Sequence, residues 1–276
     1  MKYAVAVSGG VDSVVLLDMM AKKYPGQLIV AHFDHGIRSD SAADARFVEE
    51  LAKGYKLPFV MKREELGVNA SEVLARNRRY DFLRSVAKQY EAKIMTAHHQ
   101  DDIVETIAIN VARGTGWRGL AVMGDETIER PLLEVTKQDI YNYALANSLE
   151  WVEDSTNSSD KYLRNRVRRR INGFQSGDRE KLLALHKAQH LGRAKIDEEA
   201  GKLISNSRHF MTMIDEQIAV ELLRAWLDGQ GLSLTRPQRI RLLHAIKTAR
   251  PGQIFEAGPG CAIRFTRREF IVKNPL

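Results

Sequence analysis

The run Ser8-Gly9-Gly10-Val11-Asp12-Ser13 sets two glycines, two hydroxyls and a carboxylate in six consecutive residues. It follows an apolar stretch, Tyr3 to Val7, and leads into apolar residues at helical spacing, so it reads as a turn between a strand and a helix start. Unpaired backbone N–H groups and the helix dipole both point at such a turn, which suits an anion, with a phosphate as the natural occupant. No Gly-Lys-Ser/Thr follows and the Gly-x-Gly-x-x-Gly spacing is absent, so neither a Walker A loop nor a dinucleotide fingerprint is present there. Asp12 is informative, because a carboxylate beside a phosphate makes sense chiefly when a divalent cation bridges them. A capped helix start is the plain alternative, and the complete hexapeptide in this context favours the anion cradle.

Further along, Asp102 and Glu105 stand three apart after the short apolar run Ile94 to Ala97. If Asp101 begins a helix, both carboxylates leave one face at its N-terminal end and suit an ammonium or a magnesium ion; helix capping is the alternative. His32, Asp34, His35, His98, His99 and Asp101 raise a rival reading, a metal-dependent hydrolase. Against it, no His-Glu-x-x-His pair occurs, and the phosphate turn would be left idle. Gly114, Gly116 and Gly119 have dinucleotide spacing but follow a helical pattern rather than a strand, so they read as a flexible loop with Arg113 available for phosphate. Lys161 to Arg170 holds six basic residues in ten and no Glu. Helical spacing puts Lys161, Arg164 and Arg168 on one face and spreads Arg166, Arg169 and Arg170 around another, so anions are expected on both sides.

The elements that must position these groups follow a βαβα rhythm. Apolar runs at Tyr3 to Val7, Leu28 to Phe33, Pro58 to Met61 and Ile94 to Ala97 alternate with helical patterns at Val14 to Tyr24, Ala42 to Gly54, Ser71 to Tyr90 and Ile103 to Arg113. A further strand at Thr127 to Arg130 and a helix at Val135 to Leu149 follow. The expected fold class is α/β, a doubly wound parallel sheet, with chemistry at the carboxyl ends of its strands. Composition shifts after residue 150. A charged helix at Arg179 to Ile204, helices at Asp215 to Asp228 and Arg236 to Thr248, and a hairpin at Ala262 to Val272 are expected. The division is a catalytic domain over 1–178, a helical linker over 179–214 and a small α+β domain over 215–276.

At 276 residues, 44% of them apolar, the chain can bury a sizeable core. Its net charge of +7 favours a polyanionic partner. One cysteine, Cys261, excludes an internal disulfide and a Cys-x-x-Cys site, and a reducing compartment fits. No window approaches the apolar run of a membrane span, and Met1 to Val7 is too short for a signal-peptide core, so a cytoplasmic protein with no membrane partner is expected.

With these residues in view, Ser8 to Ser13 after a first strand resembles the pyrophosphate loop of the N-type ATP pyrophosphatases, the PP-loop family, which cleave ATP to AMP and pyrophosphate. Further motifs resemble the tRNA(Ile)-lysidine synthetases in order and spacing: His32-Phe-Asp-His35-Gly-Ile-Arg38, Leu74-Ala-Arg76-Asn-Arg-Arg79-Tyr80, Thr96-Ala-His98-His99-Gln-Asp101-Asp102-Ile-Val-Glu105-Thr106, Arg130-Pro131-Leu132-Leu133 and Arg164-Asn165-Arg166-Val-Arg168. The resemblance spans residues 1 to about 172. It implies an adenine nucleotide alpha hydrolase-like fold, ATP and Mg2+ as cofactors, and the CAU-anticodon isoleucine tRNA and L-lysine as partners; a homodimer is left open.

By the same resemblance, Ser8, Gly9, Gly10, Val11, Asp12 and Ser13 hold the phosphates, with His32, Phe33, Arg38 and His99 beside the nucleotide. Asp12 and Asp101 are the implied magnesium ligands. Asp102 and Glu105 take the lysine, with the division of cation and amine binding between Asp101 and Asp102 left open; His98 or His99 relays protons, and Arg164 and Arg168 complete the active site. Arg76, Arg79, Arg113, Arg166, Arg169 and Arg170 are the expected tRNA contacts, joined by the C-terminal domain. The implied reaction adenylates cytosine O2 and then exchanges AMP for the lysine ε-amine. A PP-loop tRNA thiolase is the runner-up, for which Cys261 is poorly placed, and a non-catalytic RNA-binding module is the reading from another class. Many members of the family carry one more C-terminal module than the single one expected here.

Overall fold

The computed structural model describes residues 1–36, 41–67, 70–153, 167–168, 171 and 176–273. It divides into two compact units, Met1–Gln189 and His190–Leu276. That boundary falls inside the stretch 179–214 expected as a linker.

In the first unit, strands β1 (Lys2–Ala6), β2 (Leu28–Asp34), β3 (Phe59–Arg63), β4 (Ala92–Met95) and β5 (Ile128–Glu129) form one sheet in the order β3-β2-β1-β4-β5. Every pairing is parallel. Between them run helices α1 (Val11–Lys23), α2 (Ser41–Gly54), α3 (Glu72–Tyr90) and α4 (Gln100–Ala112), and α5 (Lys137–Ala146) follows. Alternation along the strands feeds two cores. Tyr3, Val5, Leu28 and Val30 pack with Leu16, Leu17, Val48, Leu132 and Ile140 of one face. Ala4, Ile29, Ala31 and Phe33 pack with Phe82, Leu83 and Val86 of α3 on the other. Burial on both faces is why these strands read as unbroken apolar runs.

The order of strand addition reverses at β1, since β2 and β3 lie to one side of it and β4 and β5 to the other. The crevice outside the carboxyl ends of β1 and β4 is the switch point where doubly wound sheets bind ligands. Two helices begin there three residues ahead of their apolar patterns, α1 at Val11 and α4 at Gln100. Their first turns carry the polar residues of interest, which hydrophobic spacing cannot register.

A polar cluster locks α5 and α2 to α1. The buried Asp18 carboxylate accepts hydrogen bonds from Lys22 Nζ, Tyr55 Oη and Tyr143 Oη, each at 2.7 Å.

Helix α6 (Ser176–Lys202) contains the unit boundary, and His186 on it is buried, its Nε2 bonded to the Val122 carbonyl at 2.9 Å. The second unit holds α7 (Arg208–Met213), α8 (Glu216–Gly229), α9 (Arg236–Thr248) and an antiparallel sheet of β6 (Ile254–Gly258), β7 (Cys261–Phe265) and β8 (Phe270–Lys273). Its core includes Leu223, Trp226, Leu243, Ile263, Phe265 and Phe270. Arg208 donates to the carbonyls of Ile246, Thr266 and Ala249, tying the end of α9 to the β7–β8 turn. The expected hairpin is present, and β6 and the six-residue α7 add to it. Among the described residues no helix is long and apolar enough to cross a membrane.

Candidate active site

The turn between β1 and α1 is built by its glycines and serines. Gly9 has φ +95°, a conformation L-side chains avoid, and Gly10 caps α1 with extended backbone. The Ser13 hydroxyl donates to the Gly10 carbonyl at 2.8 Å and accepts from the Ser8 N–H at 3.2 Å, while Ser8 Oγ accepts from the Gly10 N–H at 3.4 Å. Val11 is buried in the core, so its contribution to the turn is backbone alone. The result is a preformed bend at a helix N-terminus, the geometry of an anion site.

Across the crevice, β4 ends and α4 begins. His99 caps α4: its Nδ1 accepts from the Asp101 N–H at 3.3 Å, and its own N–H donates to Asp102 Oδ2 at 3.0 Å. With Nδ1 accepting, Nε2 carries the ring hydrogen. It faces Asp12 Oδ2 at 3.8 Å and Asp102 Oδ2 at 3.6 Å. His98 is bonded through Nδ1 to Thr96 Oγ1 at 2.7 Å. Burial, against the opposing pull of Asp102 and aided by Arg76, Arg79 and Arg130, pushes its pKa down to about 3. The ring is therefore neutral at any working pH.

One cavity of about 500 Å³ joins these parts. Ser8, Gly10, Asp12 and Ser13 line one region, His98, Asp102 and Arg168 another, and Phe33, His35 and Leu83 a more apolar wall; Arg76 and Arg79 also border it. Glu105, buried, is gripped from both sides by Arg168, with Nε donating to Oε1 at 2.5 Å and a terminal guanidinium nitrogen to Oε2 at 3.2 Å. A second cavity, about 620 Å³, lies between α3, α4 and the segment 123–130, lined by Arg84, Arg113 and Arg130 among others, and Arg76 is in its wall too.

The structure thus brings together Ser8, Gly10, Asp12, Ser13, Phe33, His98, Asp102, Arg76, Arg79 and Arg168 of the residues singled out from sequence. His99 stands behind Asp12, and Glu105 is held by Arg168. Others lie apart. His32 is buried with Nδ1 donating to the Val7 carbonyl at 2.8 Å, bracing the strand end rather than lining the cavity. Asp101 pairs with Arg179 at 3.0 Å, and Arg113 borders only the second cavity. Arg38, Arg164, Arg166, Arg169 and Arg170 lie outside the described residues.

Two participants carry no expectation from the sequence: Lys137, first residue of α5, places Nζ 2.5 Å from Asp12 Oδ1, and Arg179 meets Asp101. His35, noted in sequence as part of a possible metal cluster, lies in the cavity wall.

For magnesium, the donor set is sparse: among the described residues no group of three or more His, Cys, Asp or Glu side chains could hold a metal. Asp12 with the Ser8 and Ser13 hydroxyls fits an ion that arrives on phosphate oxygens and keeps its waters, the usual habit of magnesium. It does not fit a resident zinc site.

A parallel sheet with a glycine-rich anion turn at its switch point defines an α/β nucleotide-binding protein of the pyrophosphate-loop class. The chain belongs to the PP-loop domain family, whose model matches residues 1–173. Over its N-terminal part it is similar to tRNA(Ile)-lysidine synthases: 39% identical over 181 residues to that of Thermotoga maritima, covering 60% of this chain and 43% of that protein. With that of Legionella pneumophila (strain Lens) it shares 36% identity over 179 residues, 62% of this chain and 41% of the other. The chain spans less than half the length of these curated relatives. A solved U34-tRNA thiolase from Methanococcus maripaludis shares the fold, with TM-score 0.56 and 18% identity over 68% of this chain and 70% of that one.

Proposed function

We propose that the protein is a cytoplasmic ligase that joins free lysine to the wobble cytidine of the CAU-anticodon isoleucine tRNA, consuming ATP and releasing AMP and pyrophosphate. The observation that carries this reading is the single cavity with the phosphate turn in one region and Asp102, beside the Arg168–Glu105 pair, in another. The names of its relatives, tRNA(Ile)-lysidine synthases, support tRNA(Ile) as the acceptor, and free lysine is this reading's own choice of donor.

The turn at Ser8 to Ser13 holds the β and γ phosphates, with Asp12 as the magnesium carboxylate. A bound magnesium ion would make pyrophosphate a better leaving group. Cytosine O2 attacks the α-phosphorus and pyrophosphate departs. The lysine ε-amine, having lost a proton, then attacks C2 of the adenylated base and AMP leaves. Asp102 and Glu105 attract the ammonium, and Arg168 fixes the Glu105 carboxylate in its rotamer. His98, held neutral, is a weak base and serves as an uncharged hydrogen-bonding group on the cavity wall rather than as a strong proton acceptor. The arginine-lined second cavity, sharing Arg76 with the first, suits the approach of an RNA strand, and the basic second unit supplies further backbone contacts.

The thiolase reading finds less support. Cys261 is buried in the second unit's core, where its thiol pKa is raised by burial, and the likeness to the solved thiolase is one of fold. The decisive experiment supplies labelled lysine, ATP and transcripts of isoleucine and methionine tRNAs bearing the CAU anticodon. Label is expected in the isoleucine transcript alone; label in neither, with sulfur incorporated in a parallel reaction, reverses the assignment.

A further inference from the structure

Asp101 is the second residue of α4, beside the Asp102 that closes the helix cap and lines the first cavity, yet Asp101 itself is not among the residues lining that cavity. Its Oδ1 is sealed from solvent and lies 3.0 Å from a terminal guanidinium nitrogen of Arg179, without a directed hydrogen bond, so the contact is one of charge. The other acids near the phosphate turn are held in a similar way by cations from distant elements, Asp12 by Lys137 and Glu105 by Arg168.

Arg179 belongs to a stripe on α6. Arg179, Leu182, Leu183 and His186 follow the spacing i, i+3, i+4, i+7, which places them on one face of the helix. Leu182 and Leu183 pack against Ile103, Ile107 and Val122, and His186 Nε2 meets the Val122 carbonyl at 2.9 Å. Two turns of α6 therefore brace α4, and Arg179 grips it at the turn where His99 and Asp102 stand.

Magnesium dehydrates reluctantly and keeps several of its waters, so it needs carboxylate oxygens that water can reach. Asp101 Oδ1 is not one of them, and swinging the carboxylate toward the phosphates would break its pair with Arg179. Parting two charges that are only partly open to solvent is costly.

We infer that Asp101 anchors α4 instead of binding magnesium, and that Arg179 is a positioning residue: through Asp101 it fixes the first turn of α4, and with it the placement of the adjoining Asp102 carboxylate for the substrate amine. The link to the amine rests on the lysine-joining reading proposed above; the anchor itself does not.

The test uses Asp101→Asn, Arg179→Met, the two combined, and Arg179→Lys, which keeps the charge. Amide hydrogen exchange across residues 99–103, measured on the protein without nucleotide or magnesium, is expected to quicken roughly 10-fold in either single variant and no further in the double. In turnover, both single variants should raise the KM for lysine roughly 10-fold while leaving unchanged the magnesium concentration that half-saturates tRNA-dependent pyrophosphate release. Arg179→Lys should recover most of the lysine KM. A magnesium requirement raised by Asp101→Asn but not by Arg179→Met overturns the inference, as does unchanged exchange in Arg179→Met or additive effects in the double variant. A wild-type protein that incorporates no lysine removes the ligation reading instead, and the exchange measurement still decides the anchor.

Discussion

Lys137 Nζ lies 2.5 Å from Asp12 Oδ1, although 125 residues separate the two in sequence. The ammonium therefore offsets a carboxylate that would otherwise repel phosphates from the turn. Lys137→Met should weaken triphosphate binding roughly 10-fold in EDTA, and less when magnesium is present to take over the compensation. Calorimetric titration under the two conditions checks this; equal losses in both would show that Lys137 contributes something other than charge.

Glu105 and Arg168 form a two-pronged ion pair deep in the site. Glu105→Ala should spare much of the adenylation step, read as pyrophosphate release dependent on tRNA, while raising the KM for lysine at least 10-fold. Arg168→Met should produce the same split by freeing the carboxylate to rotate. Equal loss of both steps in Glu105→Ala would contradict the division of roles between the phosphate turn and the carboxylates.

His98 makes stability depend on pH in a defined window. Its folded pKa, about 3, is below the unfolded value of 6.5, so between these the unfolded chain binds the proton and the native one does not. Stability should therefore fall as pH drops from about 6.5 toward 4, and rise in the reverse direction. Urea melts of the wild type and of His98→Asn across that range should show a shallower slope for the variant. His35, shifted in the same direction, leaves part of the slope in place.

Asp18 accepts three hydrogen bonds that dock α5 and α2 on α1. Asp18→Ala leaves two tyrosine hydroxyls and an ammonium without their acceptor and should cost about 2–4 kcal/mol by denaturant unfolding. Because α5 carries Lys137, the same variant should also bind nucleotide less tightly, although Asp18 is not among the residues lining the cavity.

Much of this was legible in the residues. Tyr3 to Val7 and Leu28 to Phe33 announce a doubly buried parallel sheet, and the glycines and serines at 8–13 announce what its switch point binds. Pairings were not. Nothing in the spacing of Lys137 or Arg179 reveals its neighbour, because each meets its partner only after the sheet has brought separate crossovers together. Short elements were also hidden: α7 completes too few turns for a period to emerge, and Gly252, Gly258 and Gly260 break up the pattern around β6.

Asp102 serves two masters. One of its oxygens accepts the His99 N–H that starts α4, and the residue also lines the first cavity. A role in the fold and a place on the cavity wall thus fall on the same carboxylate. Removing it would leave the His99 N–H without its acceptor whatever the cavity holds, so this acid belongs to the architecture as much as to the ligand.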